Sequence, residues 1–175
     1  WEPGAETPRF RSGGKRRMRG WRYTPDGAQT LTTGSMTTAG IACLAIVKER
    51  LADLGKLTPE TARKIDSAML DGLVWLGELF TVESNPTFPA GGAPWHLYYM
   101  YGLERVGALT GFATMGKHEW YPAGARFLVG AQKPDGKWEG QLGTMNLTDE
   151  HESEVVQTCF ALLFLRRSTS PPAVP

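Results

Sequence analysis

The chain has 175 residues, of which 41% are hydrophobic and 21% charged, with a net charge of +1. These fractions sit near globular averages and exclude wholesale disorder, and no apolar run approaches the ~18 residues needed to span a bilayer. Seven basic residues crowd the first 22 positions (Arg9, Arg11, Lys15, Arg16, Arg17, Arg19, Arg22) against Glu2 and Glu6, which leaves a mildly acidic body.

Residues 1–34 read as a basic connector rich in Gly, Pro, Arg and Thr. Such an arm can contact nucleic acid or anionic lipid, or simply stay solvated. Nothing interleaves aromatic with basic residues, so the solvated connector is favoured and no nucleic-acid partner is expected; peripheral membrane contact stays open. The chain opens on Trp1 rather than Met, so its natural start is expected upstream.

The first helix is expected from Ser35 to Leu54, with Ser35 as N-cap and Ile41, Leu44, Ile46, Val47 and Leu51 as the apolar stripe. Gly55 stops it. Thr58 and Pro59 open a second helix running to about Phe80, with Ile65, Met69, Leu73, Leu76 and Leu79 at helical spacing. A turn-rich loop, 85–92, precedes a third helix over about 94–109 that carries Trp95, Tyr98, Tyr99 and Tyr101. A fourth spans about 118–132 and ends on Pro134-Asp135-Gly136. The fifth covers Glu152 to Arg166, acidic at its start and basic at its end as the helix dipole favours. Residues 168–175 form a Pro-rich tail.

Helices two and four are amphipathic and charged, whereas one, three and five are richer in apolar or small residues. The pattern repeats: Gly72–Leu76 lines up with Gly124–Leu128, and Thr38, Tyr98 and Thr158 recur about 60 positions apart, as stacked helical hairpins do. The fold class is therefore all-α, with a repeat domain over 35–167. Cys43 and Cys159 lie in apolar patterns and are expected as buried free thiols.

The stretch 123–138 ends in Gln132, Gly136 and Trp138, after a small residue, an aromatic and aliphatics. It resembles the QW repeat of squalene-hopene and oxidosqualene cyclases, although Pro122 stands where that repeat usually has Lys or Arg. Gly permits the turn and Trp buries a large apolar area, and the Gln is expected to reach backbone near the start of the next inner helix. Trp1-Glu2-Pro3-Gly4 parallels Trp138-Glu139-Gly140. Residues 98–105 and 160–165 resemble bacterial prenyltransferase or squalene-oxidase repeat proteins. The resemblance, over about 20–167, implies a partial (α/α) toroid like those of terpene cyclases and protein prenyltransferases, with further repeats upstream. Odd helices would form its inner ring and even helices its outer ring.

The Asp-X-Asp-Asp acid motif of such cyclases does not occur in this sequence, nor does the Asp, Cys and His pattern that holds zinc in prenyltransferases. No cofactor or metal is therefore expected, and any enzymatic activity would be cyclase-like or prenyltransferase-like by resemblance alone. Candidate cavity-lining residues are Trp95, His96, Tyr98, Tyr99 and Glu104. Trp95, Tyr98 and Tyr99 are expected to share a face, with Tyr101 turned away; that face either lines a cavity or fills core. His96 is an acid, base or ligand candidate, or an interfacial hydrogen-bonded histidine. Glu104 serves either catalysis or an ion pair with Arg105 or a neighbouring helix. The cluster 149–152 reads as an acidic helix entry rather than a metal site. The expected partner is an isoprenoid or other apolar ligand, the alternative being a non-catalytic scaffold for protein or lipid. Open edges of a partial ring are expected to drive self-association.

Overall fold

The computed structural model describes residues 17–23, 32–87, 95–139 and 150–166. Five helices follow one another: α1 (Gly34–Asp53), α2 (Pro59–Glu78), α3 (His96–Thr110), α4 (Trp120–Ala131) and α5 (Glu150–Arg166). Among the described residues there is no strand, so the chain is all-α. No helix among them is long and apolar enough to cross a membrane.

Local signals set several ends where the sequence placed them. Thr58 caps α2 by accepting the Thr61 N–H at 3.1 Å, and Pro59 occupies the first turn where its missing N–H costs nothing. Gly55, Gly111 and Gly136 all take positive φ at turns. The start of α1 differs: Thr33, not Ser35, is its N-cap, accepting the Met36 N–H at 3.2 Å. Ser35 lies inside the first turn because the buried Asn85 side chain claims it. Asn85 Oδ1 accepts the Ser35 N–H at 2.9 Å, and Asn85 Nδ2 donates to Ser35 Oγ at 3.0 Å. The first turn of α1 is thus satisfied from a loop 50 residues away, as a buried helix start requires.

Helix directions follow from close approaches. Gly72 meets Ile41 while Lys48 pairs with Asp66, so α1 and α2 are antiparallel. A Cβ on Gly34 would lie 2.8 Å from the Tyr99 ring, and one on Gly102 would lie 2.2 Å from Thr38 Oγ1. Both pairs advance together, so α1 and α3 run parallel in close contact. Gly107 against Trp120 and Met100 against Gly124 make α3 and α4 antiparallel. Tyr121 Oη donating to Leu165 O, with Trp138 N donating to Thr158 Oγ1, makes α4 and α5 antiparallel in turn. The odd helices therefore form one parallel row with α3 in the middle, and α2 and α4 cover one side of it. Between those layers lie Ile41, Trp75, Leu76, Tyr99, Met100, Leu103, Val106, Trp120, Leu128 and Phe164, all buried.

Part of the connector belongs to this fold. Residues 17–23 lie along α1 and α2 as a strap. Asp71 Oδ1 accepts the Arg17 N–H at 3.1 Å, and Asp71 Oδ2 accepts Arg19 Nε–H at 2.8 Å. The Trp21 ring rests on Gly40 and Gly72, where a Cβ would come within 2.5 and 2.6 Å of it. Burial alone would raise the Asp71 pKa, but the hydrogen bonds from Arg19 and the Arg17 amide outweigh it and hold the carboxyl below its ordinary range. Residues 17–23 are thus packed along α1 and α2 while Arg17, Arg19 and Arg22 stay exposed to solvent; the rest of the basic arm and the Trp1-Glu2-Pro3-Gly4 stretch lie outside the described residues.

A second correction concerns the thiols. Cys43 and Cys159 are both free, as expected, but both are exposed. On α1 the inward positions are Ile41 and Ala45, and Cys43 falls about 160–200° around the helix from them. An apolar sequence context did not decide which way the side chain faced.

Candidate functional site

The side of the odd-helix row away from α2 and α4 carries a second group of aromatic side chains, outside the core. Tyr98 and Tyr101 step by three residues along α3 and so lie along one side of it, with Trp95 next to them as the N-cap residue. The Tyr98 ring sits 5.5 Å from Phe160 of α5, Tyr101 stacks on Phe160 at 5.6 Å, and Trp95 meets Tyr98 edge-on at 6.1 Å. Burial raises the Tyr98 pKa, with smaller contributions from the nearby Tyr23 and Cys43, so the phenol is held neutral. Tyr23 reaches this side from the strap and lies 3.3 Å, hydroxyl to hydroxyl, from Ser35. On α1 the exposed Cys43 and Ile46 continue the apolar surface.

The expected grouping of aromatics is thus corrected. Tyr101 shares the face with Trp95 and Tyr98, and Tyr99 does not. Tyr99 is one residue, about 100°, beyond Tyr98 and points into the core, where its hydroxyl donates to Thr81 O at 3.0 Å. Burial pushes its pKa well above the ordinary tyrosine value. Trp95 holds α3's entry at φ 63° with no side-chain cap, a conformation that costs a bulky residue energy.

His96 is buried beside this entry rather than on the face. Its Nε2–H donates to Val82 O at 2.9 Å, and its ring meets Phe127 at 5.3 Å. Burial lowers its pKa, with the Val82 bond opposing only in part, so the ring is neutral. This is the interfacial histidine of the two readings. A group whose folded pKa lies below its unfolded one loses stability as pH falls. We expect stability to hold above about pH 6.5 and to decline below it, and His96→Gln to flatten that decline in urea melts run at stepped pH. An unchanged profile in the variant would contradict the assignment.

Glu104 is wholly shielded from solvent. So is Gln157 on α5, with neither Oε1 nor Nε2 hydrogen-bonded to any described residue. Burying an unsatisfied carboxamide is unfavourable, so Gln157→Leu should raise stability by roughly 1–2 kcal/mol. A loss in chemical denaturation would show that the amide makes an interaction worth more than its desolvation. Nothing in the sequence marked Gln157, which sits between Val156 and Thr158 within α5. The side chains of the 149–152 cluster lie outside the described residues. Among the described residues, no three His, Cys, Asp or Glu side chains converge as a metal site.

The turn after α4 is built differently from its expected role. Gln132 Nε2 donates to Gly136 O at 3.0 Å, within its own exposed turn, rather than to the next helix. Gly136, at φ 86°, closes the turn, with its N–H donating to Lys133 O at 2.9 Å. Trp138 makes the links between elements. Only 3% exposed, it donates Nε1–H to Leu128 O at 2.7 Å and its backbone N–H to Thr158 Oγ1 at 3.3 Å. Salt bridges from Lys137 to Asp135 and Glu154 add a surface clasp to the same helix.

In comparisons with known proteins, no protein-family model, no curated protein and no solved structure matches this chain.

Proposed function

We propose that the chain is part of an (α/α) toroid of the terpene-cyclase and prenyltransferase kind, and that the uncovered side of α1, α3 and α5 is a cavity wall that binds an extended isoprenoid or other apolar chain. The observation that carries this reading is the aromatic group Trp95, Tyr98, Tyr101 and Phe160, which lies on the side of the row that no other helix covers among the described residues. A parallel inner row backed by antiparallel outer helices is the layering a toroid needs, and the sequence resemblance at Gln132, Gly136 and Trp138 points the same way.

Aromatic faces suit this ligand on two counts. They bury methyl-branched chains at about 25 cal/mol per Å² of apolar surface. Their π-clouds also favour cationic groups by roughly 0.5–2 kcal/mol each, which is what a cyclising chain would use. Binding is the activity proposed; turnover would need an acid or metal beyond the described residues of this face.

Equilibrium binding of squalene and of farnesyl diphosphate, with the extracted lipids analysed for new products, tests the reading. Saturable binding that falls at least about tenfold in Tyr98→Ala/Tyr101→Ala, without change in helical content, is the expected result. No saturable binding of either lipid would overturn it, and new cyclic products would extend it to catalysis.

A further inference from the structure

One cation on α3 bears on how the proposed ligand ends. Tyr98, Tyr101 and Arg105 step by three and then four residues, so all three fall within about 60° of one side of the helix. Arg105 lies ~6 Å along the axis beyond Tyr101. Helical side chains lean towards the N-terminus, so the arginine reaches back along the aromatic stripe.

Arg105 is half-buried. Among the described residues no salt bridge, hydrogen bond or ring contact engages its guanidinium. Glu104, one residue earlier, is wholly shielded and turned about 100° away. The bases of the flanking helices are placed or used otherwise: on α1, Lys48 pairs with Asp66 and Arg50 with Asp53, and on α5, Arg166 falls about 120° around from Phe160. A charge held partly out of water without a counter-ion is unfavourable. The guanidinium fork is matched by a carboxylate, which accepts two parallel hydrogen bonds from it.

We infer that the ligand of the aromatic face is a long-chain carboxylate, its head group on Arg105 and its tail running back across Tyr101 and Phe160 towards Trp95. This rests on the reading of that face as a ligand site and adds the chemistry of the ligand's polar end. A single guanidinium balances a monoanion, whereas a diphosphate would leave charge uncompensated on an apolar surface. On the order of 10 Å of helix separates Arg105 from Tyr98, with Trp95 beyond, so dodecanoate is a probe of suitable reach.

Equilibrium dialysis of dodecanoate, its methyl ester and dodecyl phosphate, each below its micelle concentration, tests the inference. Dodecanoate should bind at least about tenfold more tightly than the ester. Arg105→Gln should erase that difference with helical content kept, and Arg105→Lys should retain part of it. Arg105→Glu should turn the preference towards dodecylamine, while Tyr98→Ala/Tyr101→Ala should weaken acid and ester together. Equal binding of acid and ester, a preference that survives Arg105→Gln, or tighter binding of dodecyl phosphate would overturn the inference and leave the aromatic face a ligand site. Binding of none of these chains would overturn both.

Discussion

Trp138→Ala is expected to cost about 3–5 kcal/mol of folding stability, whereas Gln132→Ala should cost no more than about 1 kcal/mol. The contrast follows from where each side chain spends its contacts. Trp138 is almost fully buried, anchors its indole to Leu128 O and hands its backbone N–H to Thr158. Its removal opens a cavity at the α4–α5 junction and leaves a buried carbonyl without its donor. Gln132 is exposed, and its hydrogen bond to Gly136 O competes with water. Urea denaturation of the two variants decides the matter, and a Gln132→Ala loss as large as that of Trp138→Ala would mean that the Gln, not the Trp, ties the hairpin to its neighbour.

The second large effect is at Gly107. Helix propensity alone predicts that Ala in place of a mid-helix Gly stabilises by about 1 kcal/mol. Here a Cβ would sit 2.1 Å from Cζ2 of Trp120, whose indole N–H is fixed to Phe112 O at 2.8 Å and whose ring is packed against Tyr121 and Phe164. The ring has no free direction in which to yield, so Gly107→Ala is expected to destabilise by roughly 1–3 kcal/mol despite the propensity gain. Gly130→Ala is the internal control: nothing lies within 4 Å of its Cβ, and it should stabilise by about 0.5–1 kcal/mol. Opposite signs for the two Gly→Ala changes in the same thermal or urea series are predicted. A neutral or stabilising Gly107→Ala would show that α3 and α4 are less closely apposed than described.

Much of this fold was legible because it is local. Thr58-Pro59 announces α2 by chemistry contained in four residues, but the expected alternation of more and less buried helices does not hold at α1, which is no more buried than α2. What escaped was decided by residues far away in sequence. Ser35 looks like a cap, but Asn85 takes its N–H and hydroxyl, and Thr33 caps instead. The strap at 17–23 reads as a loose basic arm until α1 and α2 bring Gly40 and Gly72 together under Trp21. The candidate site shows the same division. The three-residue step from Trp95 through Tyr98 to Tyr101 was present in the sequence, yet grouping Tyr99 with Tyr98 overlooked the 100° turn between neighbours. Phe160, which completes the aromatic group, had no local mark at all. The exposure of Cys43 and Cys159 likewise depends on which flanks of their helices the neighbours leave uncovered.

That exposure supplies a direct probe of the proposed cavity wall, since Cys43 borders Tyr98. In Cys159→Ser the chain retains a single thiol, and the rate at which maleimide labels it reports whether the aromatic face is occupied. The account predicts that saturating squalene slows Cys43 labelling at least about tenfold, and that the protection is lost in Tyr98→Ala/Tyr101→Ala. Labelling at the same rate with and without the lipid would contradict it.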